Sequence, residues 1–358
     1  MEIVNADLEY IHSSLKDKKL NFANSSFLIS GCGGFLGFYF LNFLLKYSEE
    51  LSIKEVIGID NFLVSKPSWI EKLEKDYSHC FKLYDLDISL INSGHKDIFK
   101  KDYFIHAASV ASPHFYRKFP LETVDANIWG LRNILDLVVS FDIKGLLFFS
   151  SSEIYGDPPK EEIPTNEEYR GNVSCIGPRS CYDESKRFGE TLCWIYSEKY
   201  NLPITIARPF NNFGPGMSLM DRRLPADFAK SVIEKKNIEI LSDGNPTRTF
   251  CYVSDAIVGY FKCLFHGNYE YFNIGNDSPE ISVKEMSEIY IKAAKEILGF
   301  NLKTKFKKSN DKDYLINNPS RRCPDITKAI KILNFRPTIS VEEGVKKYIT
   351  YLKESELN

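Results

Sequence analysis

Tyr182 and Lys186 stand four residues apart, a spacing that puts both side chains on one face of a helix, one turn from each other. A phenol of reference pKa about 10 is protonated at neutral pH, but an ammonium within about 4 to 6 Å favours the phenolate. Such a pair can accept the proton of an alcohol while a hydride leaves the carbon that bears it. The apolar run Leu146 to Ser150 reads as a buried strand, and its C-terminal end delivers Ser151 and Glu153 to the same crevice. The spacing alone is common on helices. Its weight comes from the glycine-rich turn upstream and the hydroxyl-ended strand beside it.

A hydride needs an acceptor, and the N-terminal half carries the elements that would hold one. Ser26 to Ser30 is a short apolar strand, and Gly31-Cys32-Gly33-Gly34-Phe35-Leu36-Gly37 then opens an apolar helix. The frame is Gly-x-x-Gly-x-x-Gly, through Gly31, Gly34 and Gly37. Glycines there allow a tight turn and let a pyrophosphate approach the backbone at a helix N-terminus. The next strand, Glu55 to Asp60, ends in an acid about 20 residues beyond the last glycine, where a carboxylate would bind the adenosine ribose. Asp60 disfavours a 2'-phosphate, so the expected cofactor is NAD rather than NADP.

A third strand, Phe81 to Ile88, puts Asp87 where it could face adenine, and a fourth, Tyr103 to Ala108, ends in the small Ala107 and Ala108. Helical spacing runs from Pro120 to Phe141 and again from about Arg179 to Tyr200, with a further strand at Ile204 to Pro209. Strands alternating with helices specify an α/β fold, a Rossmann-type doubly wound parallel sheet covered on both faces. Beyond Gly216 the elements shorten into a smaller C-terminal α/β substrate-binding domain that includes a strand at Tyr271 to Gly275. Arg222, Arg223 and Arg248 of that part suit a diphosphate through forked, charge-assisted hydrogen bonds. The division expected is a helical extension over 1–24 lying outside the catalytic fold, the NAD domain over 25–214, and the substrate domain over 215–358, with some return of chain to the first.

With 358 residues, 43% hydrophobic and 26% charged, the chain can bury a large core. A net charge of -2 with intermixed signs leaves no basic footprint for nucleic acid. The densest apolar segment, Phe35 to Leu45, is far shorter than the roughly 18 residues of a membrane span, and the acidic N-terminus lacks the pattern of a signal peptide. A cytoplasmic location without membrane contact is expected. The eight cysteines form no Cys-x-x-Cys pair, so no metal site is expected and free thiols are.

Taken together, these residues resemble the extended short-chain dehydrogenase/reductase family, specifically its nucleotide-sugar epimerases, dehydratases and decarboxylases. The resemblance covers roughly 25 to 350. It rests on the glycine frame, Asp60, Ser151-Ser152-Glu153, Tyr182-x-x-x-Lys186, Arg208-Pro209-Phe210-Asn211 and Thr247-Arg248-Thr249-Phe250-x-Tyr252-Val253-x-Asp255. Ala111-Ser112-Pro113, Gly177-Pro178-Arg179-x-Cys181-Tyr182-Asp183-Glu184-x-Lys186-Arg187 and Arg321-Arg322-x-Pro324-Asp325-Ile326 are most similar to the UDP-glucuronate decarboxylases of that family.

The resemblance implies a bound NAD that is reduced and reoxidised within one cycle. Tyr182 takes the proton of the sugar 4-hydroxyl, Ser151 hydrogen-bonds the same oxygen, and Lys186 holds the phenol's pKa down. The 4-ketone turns a sugar with a C5 carboxylate into a β-keto acid that loses carbon dioxide, and Glu153 positions the ring or handles the proton that C5 regains. To the cofactor it assigns Gly31, Gly34, Phe35, Leu36, Gly37, Asp60, Asn61, Asp87, Ile88, Ala107, Ala108, Asn127, Ser150, Tyr182 and Lys186. To a nucleotide sugar, with a UDP-sugar preferred, it assigns Ser112, Glu153, Asn211, Arg223, Arg248 and Tyr252. A homodimer through the helices at about 120 to 141 and 179 to 200 is implied as well.

This sequence has Ser151 where these decarboxylases usually have threonine, Ser185 where they have glycine, and Asn212 and Gly216 where they have threonine and arginine. A 4,6-dehydratase uses an Asp-Glu pair after the threonine, and Ser152 occupies the first of those positions. A 4-epimerase needs only the oxidation, a flip of the ketone and its reduction, so no absent residue excludes it. A member that binds NAD and a nucleotide sugar without turnover would not need Ser151, Tyr182 and Lys186 together.

Overall fold

The computed structural model describes residues 2–308 and 319–356. Seven strands form one parallel sheet: β1 (Ser26–Ser30), β2 (Glu55–Asp60), β3 (Phe81–Asp85), β4 (Tyr103–His106), β5 (Gly145–Phe149), β6 (Ile204–Pro209) and β7 (Glu270–Ile274). Their order is β7-β6-β5-β4-β1-β2-β3. Chain order reverses between β1 and β4, where Ser30 lies opposite His106, and ligands of open α/β sheets bind at such a crevice. The alternation of a strand feeds two cores. Phe27, Ile29, Leu147 and Phe149 face a core shared with the helices Phe35–Lys46 and Val253–Leu264. Leu28, Leu146 and Phe148 face a second core beneath the helices Leu131–Val138 and Ser180–Tyr200.

The seventh strand corrects where one expected strand sits, and it makes the expected return of chain to the first domain. Glu270–Ile274 does not belong to the smaller domain but pairs with β6 in register Phe272 to Ala207. The preceding helix, Val253–Leu264, has all of its residues buried, so it can only lie between other elements, here against β5, β6 and the helix Phe35–Lys46. The smaller domain is built from the helices Leu224–Ile233, Val283–Leu298 and Val341–Glu356. It also holds the parallel pair Ile238–Ile240 with Thr304–Phe306, and a three-stranded patch centred on Thr247–Arg248.

The first 24 residues also differ from expectation, because they are part of the catalytic fold. The helix Glu2–Ser14 buries Val4, Leu8 and Ile11 against Phe35–Lys46, Val253–Leu264 and Val341–Glu356. Asp7, 0% exposed, anchors it. Its Oδ2 accepts from the hydroxyls of Tyr39 and Tyr252, each at 2.7 Å, and its Oδ1 lies 3.2 Å from Lys347 Nζ. A buried carboxylate at the fourth apolar-face position is what the hydrophobic pattern alone conceals.

Two local departures bear on the site. β3 stops at Asp85 rather than Ile88, because Asp87 turns back to accept from the N–H and hydroxyl of Ser89 and caps a short turn at Ile88–Leu90. The single helix expected from Pro120 to Phe141 is broken into Pro120–Val124, a wider π-type turn over Asp125–Gly130, and Leu131–Val138. Such wide turns cluster at functional sites because they re-aim one side chain; here it is Asn127, whose Nδ2 donates to Ser185 Oγ at 2.8 Å.

Candidate active site

The glycine turn sits at the C-terminal end of β1. Gly31 has φ +77°, and a Cβ on it would fall 2.5 Å from the backbone nitrogen of Ala108, so the first position admits only glycine. A Cβ on Gly37 would fall 2.2 Å from the Cys32 carbonyl oxygen, which explains the third. Gly34 caps the helix Phe35–Lys46, leaving the free N–H groups of its first turn pointing out of the sheet. Asp60 does more than end β2: its Oδ2 accepts from the N–H of Gly33 and its Oδ1 from that of Phe62, both at 2.8 Å. Burial nevertheless pushes this carboxyl up. Gly33 was not part of the expected frame; its N–H, read by a carboxylate a strand away, leaves no mark on glycine spacing.

This turn is one wall of a cleft of about 1230 Å³, larger than the roughly 300–1000 Å³ of single small-molecule sites and roomy enough for a dinucleotide with a second ligand. Gly31, Gly34, Phe35, Leu36, Gly37, Asp60, Asn61, Asp87, Ile88, Ala107, Ala108 and Ser150 all line it, in the crevice where the chain order reverses. Asn61 Nδ2 donates to Asp87 Oδ2 at 2.9 Å, tying the ends of β2 and β3 together. Burial of Asp87 is outweighed by the hydrogen bonds from Ser89 and Asn61, which hold its carboxyl below the usual range. A narrow glycine cradle, an open helix start and a carboxylate at the end of the next strand fit NAD.

Ser151, Glu153, Tyr182 and Lys186 all line the same cleft. Ser150 and Ser151 come directly off β5, and Ser150 Oγ donates to Glu190 Oε1 at 2.5 Å, the carboxylate that also takes a forked bond from Arg208. Ser151 Oγ accepts from the Glu153 N–H, and its hydroxyl is near enough to Tyr182 to favour the phenolate. Lys186, 2% exposed, donates from Nζ to the Phe149 carbonyl at 2.7 Å and lies 5.7 Å from the Tyr182 ring centroid.

The electrostatics differ from the simple pairing read in the sequence. Burial pushes Tyr182 up to about 12, and the groups that oppose this are Ser151 and Arg223, not Lys186. Burial likewise pulls Lys186 down to about 7, opposed only by the Cys193 thiol. A buried amine without a carboxylate partner loses its charge more readily than it lends it, which the four-residue spacing could not reveal.

Around Glu153 lies a cluster that the sequence reading assembled only in part. Arg179 Nη2 and Arg322 Nη2 both donate to Glu153 Oε2, the second at 2.9 Å. Burial would raise this carboxyl, but Arg179, Arg322 and Arg248 together hold it down at about 2. Arg248 donates to the main-chain carbonyls of Thr247, Ser320 and Pro319. Burial first, then the charge of Arg322, brings Arg248 down to about 10. The ring of Tyr116 stacks on that of Tyr182 at 5.1 Å and 13°, with its hydroxyl buried and unpartnered. Arg179 and Arg322 were visible only as letters in motifs and Tyr116 not at all; none has a spacing that points to Glu153.

The remaining expected substrate residues divide. Asn211 and Arg223 line the cleft; Asn211 Nδ2 donates to the Thr249 carbonyl at 2.8 Å, and Arg223 forks onto Asp221 at 2.5 and 2.7 Å. Ser112 lines it too, with its hydroxyl donated to the Asp221 carbonyl. Tyr252 does not line it: it is 1% exposed and its hydroxyl belongs to Asp7, so its assignment to the substrate is corrected to a place in the core. Asn127 is also absent from the cleft wall, fully buried behind Lys186's helix with its Oδ1 unpartnered, so direct contact with the cofactor is not what the structure gives it.

Residues 27–275 match the NAD dependent epimerase/dehydratase family. The UDP-glucuronic acid decarboxylase 5 of Arabidopsis thaliana is 33% identical over 334 residues, covering 93% of this chain and 91% of the relative. Among solved structures, a UDP-glucose 4-epimerase from Thermotoga maritima with UDP-glucose is 25% identical with TM-score 0.78, covering 92% of this chain and 99% of that one. A UDP-glucuronic acid 4-epimerase from Bacillus cereus, in complex with UDP-glucuronic acid and NAD, is 25% identical with TM-score 0.72, over the same 92% and 99%.

Proposed function

This chain belongs to the NAD-dependent epimerase/dehydratase family, and from that premise we propose that it decarboxylates UDP-glucuronate to UDP-xylose through transient oxidation at C4. The observation that carries the choice of an acidic sugar is the charge balance beside Tyr182. Arg179, Arg322 and Arg248 surround one firmly ionised carboxylate, Glu153. Asp183, within the same cluster, is pushed up to about 7 by burial, so it carries only part of a negative charge at neutral pH. A buried surplus of guanidinium is costly unless an anion joins it, and Arg248 and Arg179 line the cleft where a C5 carboxylate would lie.

NAD, held by the glycine turn and Asp60, would supply the hydride acceptor and, when oxidised, a positive charge within the cleft. The chain's own residues do the rest. At about 12, Tyr182 is a phenol, and forming its phenolate at pH 7 costs about 7 kcal/mol until positive charge reaches the cleft. As phenolate it takes the 4-hydroxyl proton, and as phenol it returns that proton when C4 is reduced again. Ser151 fixes the oxygen for both transfers. Once C4 is a ketone, the C5–C6 bond breaks and its electrons pass into the carbonyl as an enolate. Asn211, Arg223 and Ser112 hold the diphosphate side of the substrate and so fix the sugar against Tyr182.

A 4-epimerase acting on UDP-glucuronate is the second reading, favoured by the likeness to the Bacillus cereus protein. Dehydration is disfavoured, because Ser152 is buried and has no acid to offer a leaving hydroxyl. Incubation with UDP-glucuronate, UDP-glucose and dTDP-glucose, followed by mass measurement of the products, separates the three. Loss of the mass of carbon dioxide from UDP-glucuronate supports decarboxylation; an unchanged mass with a new stereoisomer, or loss of water, overturns it.

The proposal extends to assembly and location. No helix among the described residues is long and apolar enough to cross a membrane, and we place the enzyme in the cytoplasm as a homodimer. Support for the dimer comes from Leu121, Trp129, Phe188 and Trp194, exposed large apolar side chains on the adjoining helices Pro120–Val124 and Ser180–Tyr200 and on the wide turn Asp125–Gly130. Two tryptophans at 58% and 51% exposure on elements that pack against each other are an unusual load for a free surface.

A further inference from the structure

We propose that Tyr348, on the C-terminal helix Val341–Glu356, is a positioning residue that holds the loop 214–223 in the shape that aims Arg223 at the substrate diphosphate. The inference rests on the reading above, in which Arg223 binds that side of the substrate, and it says what keeps the arginine in place. Tyr348 itself does not line the cleft.

The loop needs holding. It belongs to no helix or strand, yet every residue from Gly216 to Leu224 lines the cleft. Gly214, Gly216 and Arg222 have positive φ, at +143°, +84° and +67°, and a side chain such as arginine is strained there. Among the described residues, the backbone bonds the loop makes within itself run from the Met217 N–H to the Gly214 carbonyl at 3.3 Å and from the Asp221 N–H to the Ser218 carbonyl at 3.0 Å. So few internal bonds leave its shape to contacts from outside.

Side chains outside the loop supply them. The Ser112 hydroxyl donates to the Asp221 carbonyl, and the Tyr348 hydroxyl donates to the Met217 carbonyl at 2.9 Å. Tyr348 is 0% exposed and Met217 3%, so the second bond is shielded from water. It is the one hydrogen bond that the Met217 carbonyl accepts among the described residues. Burial, then the Asp221 charge, pushes the Tyr348 phenol up, and Arg223 opposes them, so the hydroxyl lies near the Asp221–Arg223 pair as well as on Met217.

The helix that carries Tyr348 is a firm base. It packs on Val283–Leu298, Leu224–Ile233 and the N-terminal helix Glu2–Ser14, and Lys347, the preceding residue, lies 3.2 Å from the buried Asp7. Without the Tyr348 hydroxyl, the buried Met217 carbonyl loses its donor, and only an opened loop lets water replace it. Substrate must then close the loop again, so part of its binding free energy goes into ordering the protein. Once the substrate is bound, its C4 meets Tyr182 as before.

The test is Tyr348→Phe in the NAD-loaded, full-length enzyme. The KM for UDP-glucuronate and the calorimetric Kd for UDP should both rise at least about fivefold while kcat stays within about twofold, the mark of binding lost equally from ground and transition states. Tyr39→Phe is the comparison, because it also deletes one buried tyrosine hydroxyl bond, to Asp7 and away from the loop. It should lower stability to urea by a similar amount and leave KM and Kd unchanged. Unchanged KM and Kd in Tyr348→Phe, or an equal rise in Tyr39→Phe, would overturn the positioning role. Hydrogen exchange adds a readout that needs no substrate: peptides covering 214–223 should exchange at least about tenfold faster in Tyr348→Phe than in the wild type, and equal exchange refutes the hold on the loop. A wild type that neither binds UDP nor turns over UDP-glucuronate overturns the functional reading instead, and the exchange comparison then decides whether Tyr348 holds the loop.

Discussion

Lys186 is expected to destabilise the protein that it serves, and replacing it with methionine should expose the conflict. Its amine is fully buried, its only hydrogen bond among the described residues runs to the Phe149 carbonyl at 2.7 Å, and burial has lowered it from 10.5 to about 7. The unfolded chain therefore binds a proton between those two values that the folded chain has given up. For a lysine lowered in this way, the cost is fully present below about pH 7 and fades as pH rises toward 10.5. At about 1.4 kcal/mol for each pH unit, the gap from 10.5 to about 7 comes to about 4 to 5 kcal/mol at pH 7. Methionine keeps the length and apolar stem, but it leaves the Phe149 carbonyl short of a donor, which returns about 1 to 2 kcal/mol. Lys186→Met should thus be more stable than the wild type by about 2 to 4 kcal/mol at pH 7 and lose all but traces of activity.

Urea unfolding of both proteins at several pH values checks this. The difference between them should shrink by about 3 kcal/mol between pH 7 and pH 10, since every other titrating group is common to both. A variant less stable than the wild type at pH 7, or a difference indifferent to pH, would refute the picture of an uncompensated buried amine. Proteins rarely keep such a group without a use for it, because burying an unpaired amine is selected against unless it acts.

The other expectations are simpler. Tyr182→Phe should slow turnover by several powers of ten while nucleotide affinity holds, measured by product mass and by titration; near-normal turnover would remove the phenol from the proposed chemistry. Asp7→Ala should cost about 2 to 6 kcal/mol, since it strands the hydroxyls of Tyr39 and Tyr252 in the core, and adding Tyr39→Phe and Tyr252→Phe should restore most of it; a loss below about 1 kcal/mol in the single variant would mean the N-terminal helix is not anchored there. Trp194→Asp should turn a dimer into a monomer in sedimentation, whereas a wild type that sediments as a monomer sinks the proposed interface.

How far the residues announced this arrangement depends on which physical signal each one carries. Continuous apolar runs announced the parallel strands, because a sheet covered on both faces needs apolar side chains at successive positions; β5, with Leu147 and Phe149 facing one core and Leu146 and Phe148 the other, leaves no freedom. Gly31 was legible because its φ of +77° and the Ala108 backbone behind it exclude any side chain. Asp7, Asn127 and Arg322 were not legible, because each acts on a partner far away along the chain: Asp7 on Tyr252, Asn127 on Ser185, Arg322 on Glu153. No local pattern encodes such a pairing, and only the closed fold decides whether a buried polar residue holds structure or performs chemistry. Tyr252 and Glu153 show the difference. Both lie in motifs of comparable apparent strength, yet Tyr252 spends its hydroxyl on a helix anchor, while Glu153 faces the cleft with arginines behind it. The site is therefore best read from its surplus of charge rather than from its letters: a carboxylate already satisfied by two guanidiniums, with a third beside it, is an environment that has been prepared for one more anion.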